Sequence, residues 1–317
     1  MTDTNNSLTR DDPRYFLPVP VPREFAQYDT VVYGAGAGGH GKRGLMDLEF
    51  ERRGERTVRS RYSYHPPLQM FQPIYLDPHR PDMPFAMLLQ NGGGMLQGDR
   101  YRIDIHCKPG AAAHITTQSH GKLYKCEENF VTQFVGITAE AGSFLEFLPD
   151  TMIPYRDARF FQHMAIRVEP SATVIVGDIL APGRTAHNDE QHQYALFLSQ
   201  LEVTDLHGKL LVADTIKLEP SRCSPKSPAV LGEMDAVGVL YIFTRKIPGA
   251  ALVNALRNAL DEHESTISGV STLPNDAGAS VRILGVSAYA VERARTIAWD
   301  AARRMLFGVP APNLRKA

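Results

Sequence analysis

The chain has 317 residues, 43 % hydrophobic and 22 % charged, enough for one large soluble domain or two ordinary ones. With 34 Lys and Arg against 35 Asp and Glu, its formal net charge is −1, which leaves no overall basic field to recruit nucleic acid. No apolar run approaches the ~18 residues of a membrane span. The start, Met1-Thr2-Asp3-Thr4-Asn5-Asn6, does not read as a signal peptide, and Cys107, Cys126 and Cys223 lack CxxC spacing, so a cytoplasmic protein with reduced thiols is expected.

Residues 1–44 are rich in Pro, Gly, Asp and Asn and read as an extended or flexible arm, with a possible strand at 28–33. The arm ends in Gly34-Ala35-Gly36-Ala37-Gly38-Gly39-His40-Gly41-Lys42. Gly34, Gly36 and Gly39 satisfy GxGxxG, and Gly41-Lys42 approaches a P-loop, but Arg43 stands where Ser or Thr should ligate Mg²⁺. The segment Leu45-Met46-Asp47-Leu48-Glu49-Phe50 alternates as a strand, where both motifs need a helix. A glycine loop without nucleotide binding is the expectation.

Residues 45–317 read as a β-rich body with three blocks of unusual residues. The first is Asn91-Gly92-Gly93-Gly94-Met95-Leu96-Gln97-Gly98-Asp99. Its glycines permit positive φ or close backbone approach, and Asp99 either caps the turn or presents a carboxylate. Tyr101, Ile103, Ile105 and Cys107 then alternate with Arg102, Asp104 and His106, the mark of a strand with one buried face. The second block is Thr116-Thr117-Gln118-Ser119 with Lys122-Leu123-Tyr124-Lys125. Two cations around an aromatic ring fit either a guarded edge strand or a docking patch. The third is Phe144-Leu145-Glu146-Phe147-Leu148-Pro149-Asp150 with Ile153-Pro154-Tyr155. Glu146 and Asp150 do not converge on a strand as they would on a helix, although a glycosidase-like pair is the competing reading.

A weak repeat runs through this region. Strand 103–107, turn 108–111 and strand 113–117 are followed by 135–138, 140–143 and 144–148, then by 166–168, 169–172 and 173–178. A fourth copy is expected at 201–204, 206–209 and 210–214. Such units bury a continuous core only when stacked. The fold class predicted is therefore mainly β, a layered, β-helix-like stack of strands. Apolar residues on both faces of 194–199 mark a strand buried on both sides. Helical spacing at 250–262 and 287–307, with Gly308 and Pro310 as stop signals, predicts a small C-terminal two-helix element, with 265–280 between as a loop. The eleven histidines form no HxH or HExxH, so a closed zinc-type site is not expected.

The ordered series of blocks resembles the urease accessory protein UreD family, called UreH in some systems. Besides the three blocks, the resemblance runs through Ala158-Arg159, Gln162, Asp178, Gly183-Arg184 and Asp214 to a tail, Arg303-Arg304-Met305-Leu306-Phe307-Gly308-Val309-Pro310 with Leu314-Arg315-Lys316. It covers roughly 45–317. The chain departs from the family pattern at Tyr64-His65-Pro66-Pro67-Leu68-Gln69, at His120-Gly121-Lys122, at Asn188-Asp189-Glu190 and at Ala317, as a divergent member would.

The resemblance implies a non-catalytic scaffold that joins UreF- and UreG-type partners, in an assembly made dimeric through those partners, and delivers nickel to apo-urease. No cofactor is permanently bound on this reading, and Ni²⁺ passes transiently. Asp99, Glu146 and Asp150 are the carboxylates expected on its route. Gln118, Lys122, Tyr124, Lys125 and Arg315 are the expected partner-binding residues. The alternatives are a β-rich glycoside hydrolase using Glu146 and Asp150, and a metal-independent β binding protein.

Overall fold

β-branched and aromatic residues crowd the chain from residue 43 onward, and there it folds as strands. The computed structural model describes residues 9, 12–29, 39–261 and 265–314. In chain order the elements are α1 (Pro13–Phe16), β1 (Arg43–Arg53), β2 (Arg56–His65), β3 (Leu68–Met70), β4 (Phe85–Gln90), β5 (Arg100–Cys107), β6 (Ala112–Thr117), β7 (Gly121–Leu123), β8 (Val131–Ala139), β9 (Phe144–Phe147) and β10 (Met152–Pro154). They continue as β11 (Arg159–Val168), β12 (Thr173–Leu180), β13 (Gly183–Arg184), β14 (Glu190–Gln191), β15 (Leu196–Thr204), β16 (Leu210–Leu218), β17 (Ala236–Phe243), α2 (Gly249–Leu260), β18 (Thr266–Thr272), β19 (Gly278–Gly285) and α3 (Ala288–Phe307).

Two large sheets stack face to face. The first runs β16-β15-β11-β8-β5-β1-β2 and the second β18-β19-β17-β12-β9-β6-β4-β3. The repeat explains how they are joined. In β5–β6, β8–β9 and β11–β12 the chain leaves the first sheet, turns, and enters the second. Each turn closes an i to i+3 hydrogen bond: Ala111 N to Lys108 O, Ser143 N to Glu140 O and Ala172 N to Glu169 O, at 2.9–3.0 Å. Successive arches stack in parallel, β5 on β8 on β11 in one sheet and β6 on β9 on β12 in the other. This is the layered, β-helix-like stack expected from the repeat.

The fourth copy is a correction. β15 and β16 pair antiparallel as a hairpin within the first sheet instead of arching between sheets. The Asp205 carboxylate accepts from the amides of His207 and Lys209, and Gly208 takes φ 86°, which closes a tight reversal. The expected loop at 265–280 is a second correction. It holds β18 and the start of β19, which extend the second sheet beyond β17. Its alternation was masked by Gly, Ser and Thr, since the exposed edge strand β18 buries only Val270 well.

Four layers result. Tyr101, Ile103, Ile105 and Cys107 point between the sheets with Val135, Phe147, Met164 and Val176. β17 is buried along its whole length, because α2 and α3 cover the other face of the second sheet. Leu252, Val253, Leu256 and Leu260 give α2 its apolar stripe. α3 is capped by the Ser287 hydroxyl at its start and by Gly308, in the left-handed region at φ 69°, at its end. Val291, Ala294, Ala298 and Ala302 let it lie close to the sheet, and a side chain at Gly238 would meet Val291 at 2.5 Å.

On the outer face of the first sheet, residues 12–29 form the fourth layer. Leu17, Val19, Val21 and the fully buried Phe25 pack on Phe130, Phe161, Leu196 and Leu198. The possible strand at 28–33 and most of the glycine stretch lie outside the described residues, as does Arg315. Tyr28 itself ends a 3-10 turn. Among the described residues no helix is long and apolar enough to cross a membrane.

Candidate functional site

The three sequence blocks, far apart in the chain, meet on a short third side of the arched stack. Met95 bridges to Leu123, and β7 pairs in parallel with β10, Leu123 opposite Pro154. Tyr124 and Tyr155 follow those two residues and therefore stand at equivalent positions on neighbouring strands. Their ring centroids are 4.8 Å apart, the spacing of adjacent strands. Arg184, on the separate two-stranded β13–β14 hairpin, lays its guanidinium 4.1 Å from the Tyr155 centroid. Glu190 holds it there with hydrogen bonds of 2.9 and 2.5 Å. Those bonds, more than the opposing burial, hold the Glu190 carboxyl below the usual range. The glycine block completes the side, with Gly94 directly beneath the Tyr124 ring.

A second, internal line of polar residues runs between the sheets. Tyr101, Gln133, Gln162 and Ser199 are in register on β5, β8, β11 and β15. The Gln133 amide donates to Gln162 Oε1 at 3.0 Å, and the Gln162 amide donates to Ser199 Oγ at 3.2 Å and to Asp178 Oδ2 at 2.6 Å. Stacked amides at this spacing are the side-chain ladder that in-register strands favour. Burial pushes the Asp178 carboxyl up, with the Gln162 bond opposing the shift. Gln133, Gln162, Asp178 and Ser199 line an inter-sheet cavity of about 150 Å³. Its wall also includes Gly93, Gly94, Lys122, Ser119, His120 and Asp150, so it reaches the face where the blocks meet.

The three expected carboxylates are not brought together. Asp99 is fully buried and accepts from the Lys42 amide at 2.8 Å, the Leu96 amide at 3.0 Å and the Tyr101 hydroxyl at 3.1 Å. Lys42 Nζ adds an ion pair at 3.1 Å. This carboxylate pins the glycine block to the start of β1.

Glu146 lies on the opposite face of the second sheet, sealed beneath α3. It accepts from His114 Nδ1 at 2.8 Å and from Trp299 Nε1 at 2.6 Å, with Arg303 Nε at 3.6 Å. Arg303, fully buried, also donates to Asp77 at 2.7 Å. Only Asp150 reaches the cavity. It is half-buried, takes its place through its amide bond to the Thr117 hydroxyl at 2.9 Å, and lines both the cavity and the groove beside α3.

Of the expected partner-binding residues, Lys122, Tyr124 and Lys125 share the third side, with both lysines exposed. Gln118 is exposed in the groove between β6 and α3 instead. Cys107 and Cys126 are buried free thiols; burial pushes Cys107 up to about 12 and Cys126 to about 11. Among the described residues no three His, Cys, Asp or Glu side chains assemble as a metal-binding group.

Site reading from sequence missed Gln133, Ser199 and the roles of Gln162 and Asp178. A signal was present. Asp178 sits in the run Thr-Val-Ile-Val-Gly-Asp-Ile-Leu and Gln162 in Phe-Phe-Gln-His-Met, each a polar residue inside an otherwise buried strand.

Comparison with known proteins bears on the same span. The family model described as UreD urease accessory protein matches residues 42–317. A urease accessory protein UreD 2 from Streptomyces griseus is 39 % identical over 290 residues, 91 % of this chain and 97 % of the relative. One of the same name from Brucella suis is 34 % identical over 292 residues, 92 % of this chain and 97 % of its own length. A urease accessory protein UreD from Photorhabdus laumondii is 31 % identical over 291 residues, 92 % and 91 % of the two chains.

Proposed function

Because the chain belongs to the UreD urease accessory protein family, we propose that it is a non-catalytic scaffold of urease maturation, which with UreF- and UreG-type partners delivers Ni²⁺ to apo-urease. The supporting observation is the inter-sheet cavity with its in-register line of Gln133, Gln162 and Ser199. Neutral amide and hydroxyl oxygens solvate a passing cation without trapping it, whereas thiolates or clustered imidazoles would retain Ni²⁺. Both buried thiols are held protonated by burial, which suits the same task. Nickel is cargo on this reading.

Asp150 is the carboxylate assigned to the route, at the cavity's edge. Asp99 and Glu146 serve it indirectly: the first anchors the glycine block at the mouth, the second fixes α3 over the second sheet. A glycosidase pair of Glu146 and Asp150 finds no support, because Glu146 is enclosed by His114, Trp299 and Arg303.

The test is co-expression of urease genes with this chain, without it, and with Asp150→Ala or Gln162→Met, followed by nickel analysis of the purified urease. Nickel content is expected to fall in both variants and to fall furthest without the chain. Fully loaded urease in the absence of the chain would overturn the maturation reading. Full loading with both variants would remove the cavity from the route.

A further inference from the structure

Outside the cavity, the third side carries a groove of about 500 Å³ that includes Tyr124, Lys125, Tyr155, Arg156, Arg184 and Glu190. Its size falls within the ~300–1,000 Å³ of ligand-binding clefts. We propose that this groove docks an extended acidic segment of a partner protein, the carboxylates going to Lys125 and Arg156 and the apolar stems to the two tyrosine rings. The inference rests on the reading that this face meets a partner during maturation, and it names that partner's chemistry.

Charge gives the first argument. Among the described residues that line the groove Glu190 is the one acid, and its carboxylate is consumed: it is buried and holds Arg184 and the Arg156 amide. Arg184 is thereby neutralised and fixed flat on Tyr155. Lys125 pairs with Glu127 at 3.2 Å, but both side chains are more than half exposed, so that bond holds the lysine weakly. The Arg156 side chain is exposed, and its charge meets Glu190 only as the last and smallest of the effects on that carboxylate, without a direct side-chain bond among the described residues. Two exposed cations thus face the groove, Lys125 held by a solvent-exposed pair and Arg156 by a longer-range attraction to Glu190. Asp189, on the same loop, is bonded to the Gln191 amide instead.

Backbone conformation gives the second. Six non-glycine residues among those described take positive φ, and four of them, Asp157, Asn188, Asp189 and His192, lie in the two segments that shape this groove. Asp, Asn and His enter this region more readily than other side chains, and here they close the tight turns that shape the groove. Here they pair with a fixed aromatic floor, since Tyr124 is wedged between Gly94 and Tyr155. A rigid floor lowers the ordering cost of binding a peptide.

The probe is a dye-labelled hexaglutamate peptide, followed by fluorescence anisotropy with the full chain, beside hexaglutamine and inorganic phosphate. Hexaglutamate is expected to bind, more weakly as salt rises, and hexaglutamine is expected not to. Lys125→Gln with Arg156→Gln should weaken binding about tenfold with an unchanged melting temperature, because both side chains are exposed. No binding of hexaglutamate, or equal binding by the double variant, would overturn the proposal. Displacement of the peptide by phosphate at equal concentration would overturn the peptide assignment in favour of a general anion site. Urease activation by the unaltered chain reports on the maturation reading independently of these outcomes.

Discussion

A methyl group on Gly94 would meet the ring of Tyr124 at 2.3 Å and the backbone oxygen of Lys122 at 2.8 Å. The glycine is therefore a seat for the tyrosine, and the first sequence block is shaped to receive the second. Gly94→Ala should displace the ring and destabilise the chain by about 1–3 kcal/mol, measured by urea unfolding. Because the Lys122 oxygen does not move with the tyrosine, Tyr124→Ala in the same chain should recover only part of the loss. Full recovery would place the whole conflict on the ring.

Glu146 and Trp299 tie the second sheet to α3 through a hydrogen bond between buried groups. Glu146→Ala removes a partner of His114 and leaves Arg303 with Asp77. Removing one member of a buried ion pair costs about 3–5 kcal/mol. The melting temperature should fall steeply in calorimetry, and further than for Asp150→Ala, whose carboxylate is half-buried. Comparable melting for the two variants would mean that Glu146 does not hold the helix.

Asp178 provides the pH test. Its folded pKa is raised above the unfolded value by burial, so ionisation in the folded state carries a cost. That cost is fully present above the folded pKa and disappears below the unfolded value of ~3.9. Asp178→Asn keeps an acceptor for Gln162 and should raise the melting temperature at pH 8, with the gain vanishing towards pH 4. The midpoint should shift by roughly 2–4 °C for each kcal/mol relieved. A gain independent of pH would show that ionisation is not its source.

Glu49 behaves in the opposite sense. Hydrogen bonding from Ser60, aided by Lys108 and Arg61, holds it down at about 2. Its stabilising contribution is complete above the unfolded pKa of ~4.3 and is lost as pH falls towards 2. Glu49→Gln should therefore flatten the acid limb of the stability curve, read by unfolding between pH 2 and 5.

Phe25 fastens the N-terminal segment by inserting between Phe130 and Phe161, with ring centroids at 4.9 and 5.8 Å. Phe25→Ala should cost about 3–5 kcal/mol if the segment unfolds with the body, as core aromatics do. Hydrogen exchange distinguishes the alternatives. Faster exchange confined to residues 12–29 would show that the segment detaches alone.

The sequence by itself determined the layers. Alternation at 101–107 set one face of β5 inward, the spacing of turns at 108–111, 140–143 and 169–172 marked the arches, and helical periodicity with Ser287 and Gly308 placed α3 almost to the residue. These are local properties, governed by side-chain period and turn chemistry, and a one-dimensional string carries them. The hairpin at 205–209 escaped because an arch and a hairpin use similar turn residues, and only the direction of the next strand separates them. β18 escaped because an exposed edge strand has little apolar pattern to show. The site was legible as three conspicuous blocks, but not as a place. Parallel stacking decided that Tyr124 and Tyr155 would touch, and that Gln133, Gln162 and Ser199 would line one cavity. It also decided that Asp99 and Glu146 would be consumed by buried bonds while Asp150 stays at the cavity wall, because burial and hydrogen-bond partners come from residues up to 153 positions away.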